Sequence, residues 1–210
     1  MINTLIVKSN FELNEDFISK YNISNYSIEK LGQIIYCQYH KLPINIQNII
    51  ITSKNAINIK ELEQLNQSTN FYIISKKLEE ILKNYDFNNI FRYKNINDML
   101  INCDISLNYL YLRGKNITQE LNLPKLTEII IYDIKYKNNL SNKAKDIIKS
   151  SNLEKIFLFS HLTTINFLNI IIKYNMMHLL KMVKFYIMSE KSIELMKNNN
   201  LNYEVIKYEY

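Results

Sequence analysis

The chain has 210 residues, 47% of them hydrophobic and 22% charged, which is ordinary for a folded protein and enough for one large core or two small ones. Gly, Pro and Trp number 2, 2 and 0 while Asn, Ile, Lys and Tyr abound, a skew that reads as codon bias from an AT-rich genome rather than disorder. The net charge of +6 suits an acidic ligand and equally a Lys-rich proteome, and the two distant cysteines, Cys37 and Cys103, exclude a disulfide framework and point to a reducing compartment.

In chain order, short β-rich runs alternate with amphipathic stretches. Thr4–Val7 reads as a strand and Asn14–Tyr21 as a helix with Asn14 as its N-cap. Ile49–Thr52 is a buried strand before a helix over Lys54–Leu65; Phe71–Ile74 repeats the theme before a helix over Lys76–Asn84. Leu107–Leu112 and Glu128–Tyr132 are strands with a short helix between them. Ser141–Ser150 (helix), Lys155–Phe159 (strand) and Thr163–Tyr174 (helix) follow, then Met182–Met188 (strand), Glu190–Lys197 (helix) and Tyr203–Tyr208 (strand). Strand and helix alternating at this spacing predict an α/β fold with parallel sheets.

The sequence also echoes itself. YIISKKLEEILKN at Tyr72–Asn84 and YIMSEKSIELMKN at Tyr186–Asn198 share seven of thirteen positions, among them Ser75 and Ser189 at the turn from strand to helix. A fainter pair, ITSKNAIN at Ile51–Asn58 and FSHLTTIN at Phe159–Asn166, precedes each at a similar offset. Two half-molecules of similar design are expected. In each, a Ser or Thr closes an apolar strand and opens a helix, at Thr52-Ser53, Ser75, Ser160 and Ser189. Each is a natural N-cap; together they place hydroxyls and free amides at the carboxyl ends of sheets, where open α/β folds bind ligands and helix N-termini favour anions.

Several chemistries are excluded. With Gly32 and Gly114 alone there is no dinucleotide fingerprint or phosphate-binding loop. His40, His161 and His178 lack metal-ligand spacing, Ser160-His161 are neighbours whose side chains diverge, and no Gly-x-Ser-x-Gly elbow exists. Paired carboxylates (Glu15-Asp16, Glu79-Glu80) read as solvated helix faces, and the scattered basic residues make no stripe for nucleic acid. No basic region followed by an apolar stretch opens residues 1–8, and runs such as Phe167–Ile172 are too short to span a bilayer, so a cytoplasmic protein with no membrane association is expected. The chain's two arginines are Arg92 and Arg113, and the second begins an Arg113-Gly114-Lys115 turn at a strand end. That turn is either a solvated Gly-assisted bend or a cationic seat for a polycarboxylate.

LYLRGK at Leu110–Lys115, with IIIYDIKY at Ile129–Tyr136 after it, resembles the uroporphyrinogen-III synthase family, whose members carry a leucine-rich strand ending in Arg-Gly and then a strand of Val-Tyr-x-Thr character. IIITSKNAI at Ile49–Ile57 resembles the family's Phe-Thr-Ser-x-Asn-Ala-Val segment, and FLFSHLT at Phe157–Thr163 its Phe-Phe-Ser-Pro-Ser segment. YIMSEKSIELMKNNNLNYEVI resembles its C-terminal strand, helix and strand, and LIVKS sets Lys8 where Thr-Arg-Pro has Arg. The resemblance covers nearly the whole chain. It departs where Val-Gly-x-x-Thr-Ala becomes Ile74–Glu79, losing Gly and Thr, where the C-terminal counterpart keeps a hydroxyl only as Ser192, and where His161 replaces Pro.

The resemblance implies two similar parallel-sheet α/β domains joined by a two-stranded β linker, with a ligand cleft between them. Domain 1 is then residues 1–36 plus 137–210 and domain 2 residues 37–136, with crossings near 32–42 and 131–138. It implies a lyase that cyclises hydroxymethylbilane with inversion of the last pyrrole ring, acting as a monomer without metal or cofactor, with neighbouring haem-pathway enzymes as further partners to consider. Tyr132 takes the place of the family's assisting proton donor. Lys8, Thr52, Ser53, Asn55, Ser75, Arg113, Gly114, Lys115, Ser160, His161, Thr163, Ser189 and Ser192 match its substrate-binding segments. The lost Gly and Thr leave one rival open, a non-catalytic two-domain module that closes on an anionic small molecule.

Overall fold

The computed structural model describes residues 1–9, 13, 15–39, 41–43, 45–57, 60–117 and 119–207. Asn14, His40, Asn58 and Tyr208, which figure in the expectations above, lie outside them. By internal contacts the chain divides into two compact units, Met1–Gln33 with the chain from Lys135 on, and Ile34–Ile134.

The first unit holds strands β1 (Thr4–Lys8), β2 (Tyr26–Lys30), β9 (Lys155–Leu158), β10 (Lys184–Ile187) and β11 (Asn202–Val205), in the order β11-β10-β9-β1-β2 with every pair parallel. Helices α1 (Glu15–Lys20), α4 (Asn142–Lys149), α5 (His161–Lys173) and α6 (Ile193–Asn198) belong to it. Strand alternation sends Leu5, Val7, Ile156, Leu158, Phe185 and Ile187 into one core with α4, α5 and α6, and sends Ile6 and Phe157 into another with Phe17 of α1. Each fully buried Leu, Ile or Phe contributes about 1.5–3 kcal/mol.

The second sheet runs β3-β8-β7-β4-β5-β6, built from β3 (Gly32–Tyr36), β4 (Asn48–Ile51), β5 (Asn70–Ile73), β6 (Ile90–Arg92), β7 (Tyr109–Gly114) and β8 (Leu126–Tyr136). Its β8-β7-β4-β5-β6 ladder is parallel. Amides of Cys37 and Lys137 bond to the carbonyls of Ile131 and Leu31, each at 2.8–2.9 Å, so β3 and β8 run antiparallel. One core unites Ile49, Ile51, Ile73, Leu110 and Leu112 with Leu78 and Leu82 of α2 (Lys76–Lys83). The other unites Ile50, Tyr72, Tyr109 and Tyr111 with Met99 and Cys103 at α3 (Ile96–Asn102).

Three expectations need correction. The helix over 54–65 is instead two 3₁₀ turns, Lys54–Ala56 and Lys60–Gln64, because Asn and Ile in Asn55–Asn58 are weak helix formers. Between β7 and β8 no described residue is helical. Leu121 and Leu123 are buried at a spacing of two, as in extended chain, and Pro124 removes a donor. The stretch after Ser189 is a 3₁₀ turn (Glu190–Ser192) before α6 rather than one helix. The strand β2, unexpected from sequence, buries Ser27 and Glu29 and exposes Tyr26 and Ile28.

Candidate active site

Each sheet has one place where chain order reverses, the place where open α/β sheets take ligands outside their carboxyl ends. From β1 the first sheet grows to β2 on one side and resumes with β9 on the other. From β4 the second grows outward through β5 and β6, then resumes with β7 on the opposite side. Lys8 and Ser160 therefore stand at the first switch point, and Thr52, Ser53 and the Arg113-Gly114 turn at the second. The echo has a structural counterpart: β4-β5-β6 and β9-β10-β11 are the same outward progression, with Ser75 following β5 and Ser189 following β10.

At the second sheet's switch point, Thr52 Oγ1 and the Tyr111 phenol share a hydrogen bond of 2.9 Å. Burial pushes the Tyr111 phenol above its ordinary value, against the lowering effect of that bond, so it stays protonated at neutral pH. Ser53 caps the 3₁₀ turn, its oxygen accepting from the Asn55 amide at 3.3 Å. Ser75 opens α2 from an extended backbone but makes no side-chain bond to that helix.

Arg113 is engaged by its own turn. Nε and Nη2 donate to Glu128 Oε2 at 3.1 and 3.0 Å, and Nη1 donates to the carbonyls of Gly114 (3.0 Å) and Lys115 (3.2 Å). Lys115 pairs with Asp133 at 3.6 Å. Tyr132 lies opposite Gly114 in the β7–β8 register, just past an irregularity in the ladder, and is 8% exposed.

In the first unit, Ser160 caps α5 and binds Thr163 twice, accepting from its amide at 3.2 Å and donating to its hydroxyl at 2.8 Å. His161 Nδ1 meets the hydroxyl of fully buried Ser192 at 3.1 Å. Lys8 is buried at the end of β1, its carbonyl accepting from the Leu31 amide at 2.9 Å. Ser189, like Ser75, opens its turn without a side-chain cap bond.

The expected residues thus gather at the carboxyl edges of their two sheets. Sequence reasoning missed Tyr111, Glu128 and Asp133, the partners of Thr52, Arg113 and Lys115. Strand alternation in Leu110–Gly114 puts Tyr111 on the face of Arg113, a usable signal for the first; the others needed the β7–β8 register. Among the described residues, open cavities lie elsewhere, one of about 500 Å³ beside Met1, Lys143 and Asp146 and another of about 250 Å³ beside Pro43, Asn48 and Ser106. Among the described residues no group of three or more His, Cys, Asp or Glu side chains could hold a metal ion, and no helix is long and apolar enough to cross a membrane.

A parallel α/β unit with hydroxyls and a phenol at its switch point, accompanied by a second unit of like design, defines a two-unit α/β fold with a candidate ligand edge on each sheet. The model of one family, described as uroporphyrinogen-III synthase HemD, matches residues 34–210. The chain belongs to the uroporphyrinogen-III synthase family, lyases of tetrapyrrole biosynthesis. Its fold is similar to that of the uroporphyrinogen-III synthetase of Helicobacter pylori (17% identity, TM-score 0.67, covering 100% of this chain and 94% of that one). It is also similar to a mutant uroporphyrinogen III synthase of Thermus thermophilus (7% identity, TM-score 0.54, covering 98% and 92%). No curated protein sequence matches the chain.

Proposed function

We propose that this chain cyclises hydroxymethylbilane to uroporphyrinogen III, with Tyr132 assisting departure of the substrate's hydroxyl. The observation that carries the reading is the family match over residues 34–210. A linear tetrapyrrole with eight carboxylates and one hydroxymethyl group closes unaided to the unrearranged isomer. The enzyme's task is to hold the chain so that the substituted carbon of the last pyrrole attacks, giving a spiro intermediate that breaks and recloses with that ring inverted. Such a task rests on positioning, which agrees with edges lined by hydroxyls and amides rather than by strong acids or bases.

The Tyr132 phenol supplies a hydrogen-bond donor. Its proton leaves with the hydroxyl as water, and the proton released when the inverted ring rearomatises restores the balance. Thr52, Ser53, Asn55, Ser75, Ser160, His161 and Ser189 take acetate and propionate groups, buried Thr163 and Ser192 back Ser160 and His161 through their hydrogen bonds, and Lys8, Arg113, Gly114 and Lys115 shape and charge the seats. The engagement of Arg113 with Glu128 and two carbonyls supports a shaping role for its side chain. We place the enzyme in the cytoplasm, acting as a monomer; the free thiols Cys37 and Cys103 support a reducing compartment.

Product isomers test the reading. With freshly generated hydroxymethylbilane, the protein yields mainly type III porphyrin after oxidation, and Tyr132→Phe lowers kcat on the order of 10²-fold, the lower range for a positioned general acid. Type I porphyrin alone from folded protein rejects the synthase and favours the non-catalytic binding module.

A further inference from the structure

Gly114 raises a question that its backbone does not answer, because its φ is not in the left-handed region that favours glycine. The space around it does answer. A Cβ placed on Gly114 would lie 2.7 Å from Cζ of Tyr132 and 2.9 Å from both Cε2 and Oη. Real Cβ contacts essentially never come so close, so the ring occupies the place of the missing side chain.

Hydrogen bonds tie the backbone of this turn to β8. The Lys115 amide donates to the Tyr132 carbonyl at 2.8 Å, and Arg113 Nη1 holds the carbonyls of Gly114 and Lys115 while its other nitrogens hold Glu128 on the same neighbouring strand. The root of Tyr132 is equally fixed, next to fully buried Ile131 in the core shared with Leu110 and Leu112. Any atom added at Gly114 therefore moves the phenol end of the ring, the end that carries the hydroxyl.

From this geometry we infer that Gly114 is a positioning residue of the reaction: its bare Cα is the seat that sets the Tyr132 hydroxyl, and the pinned Arg113-Gly114-Lys115 turn fixes that seat in the sheet. The inference rests on the reading of Tyr132 as the assisting donor. It gives the Arg-Gly pair a task other than touching substrate.

The test is a double-mutant cycle on the full chain, with kcat, KM and thermal midpoint measured for Gly114→Ala, Tyr132→Phe and both together. Displacing a catalytic hydroxyl by a fraction of an ångström to one ångström costs on the order of 10- to 100-fold in rate. Gly114→Ala is expected to lower kcat by that amount with KM changed less than about twofold. In the double variant the second change adds less than about twofold to the loss, since the hydroxyl is already gone. Multiplying losses, or an unchanged kcat in Gly114→Ala beside a damaged Tyr132→Phe, overturns the inference and leaves the donor assignment standing. Full activity in Tyr132→Phe removes the donor assignment and this inference with it. Should Gly114→Ala fold poorly, Gly114→Ala with Tyr132→Ala supplies the second measurement. With Tyr132→Ala alone measured beside it, Gly114→Ala is expected to lower the thermal midpoint less in the Tyr132→Ala background than in the parent, and equal losses reject the seat.

Discussion

At the end of β4 the hydroxyl of Thr52 and the phenol of Tyr111 hold each other at 2.9 Å, and burial keeps that phenol protonated. A phenol that donates to Thr52 leaves the threonine's own proton for an incoming carboxylate. Tyr111→Phe is therefore expected to raise KM severalfold with kcat nearly unchanged, and to cost about 1 kcal/mol of stability for the lost hydrogen bond. Initial rates against substrate concentration check it, and an unaltered KM removes Thr52 from the binding surface. Tyr111 shows what a sequence hides at this scale. Among 16 tyrosines, strand alternation can put Tyr111 on the face of Arg113, but its pairing with a particular threonine on another strand shows only in the register. Thr52, Ser75, Ser160 and Ser189 were legible because each follows an apolar run, and the end of a buried strand is a place on the sheet's edge. The partner of Thr52 sits a strand away, where only register tells, while that of Ser160 is Thr163, three residues on in its own helix.

Among the elements, β2 inverts the usual pattern. Its polar Ser27 and Glu29 point inward while Tyr26 and Ile28 face out, so hydrophobic alternation assigns the wrong face and the strand escapes notice. The inversion has a cause. Glu29 accepts from the Ser141 amide at 3.1 Å and from its hydroxyl at 2.5 Å, and that hydroxyl in turn accepts from the Ala144 amide at 3.1 Å to cap α4. A buried carboxylate so used fixes where the chain re-enters the first unit after β8. Ser141→Ala removes the cap and strips Glu29 of both the hydroxyl and its geometry, for an expected loss of about 2 kcal/mol in urea unfolding. A loss under about 0.5 kcal/mol would mean that water replaces the hydroxyl at no cost. The strands β4, β5, β7 and β9 were legible for the opposite reason, since each contains a run of three or four apolar residues buried on both faces. The region 54–65 misled because apolar spacing alone does not separate an α-helix from 3₁₀ turns that bury Ala56 and Leu62.

Across the whole molecule, the buried weak acids are unevenly shared. Tyr72, Tyr93, Tyr109, Tyr111 and the Cys103 thiol are all pushed up, chiefly by burial, and all belong to the second unit. The folded chain keeps these protons where the unfolded chain, with ordinary values of 9.0 for the thiol and 10.0 for the phenols, has begun to release them. Stability from this source is complete below about pH 9 and is lost as pH climbs through the raised folded values. Tyr109 contributes most, and its buried hydroxyl, though near Tyr72 and Cys103, reaches no partner in hydrogen-bond geometry. Removing that hydroxyl leaves nothing unpaired, so Tyr109→Phe is expected to match the parent at neutral pH and to lose less above pH 10. Thermal scans from pH 7 to 11, read with phenolate absorbance, measure both effects. Amide exchange over the same range separates the units: β4, β5 and β7 are expected to lose protection before β1, β9 and β10, because the alkaline penalty falls on the sheet that holds the phenols. If the first unit opened earlier, or both together at every pH, the buried phenols would not be what limits this protein in alkali.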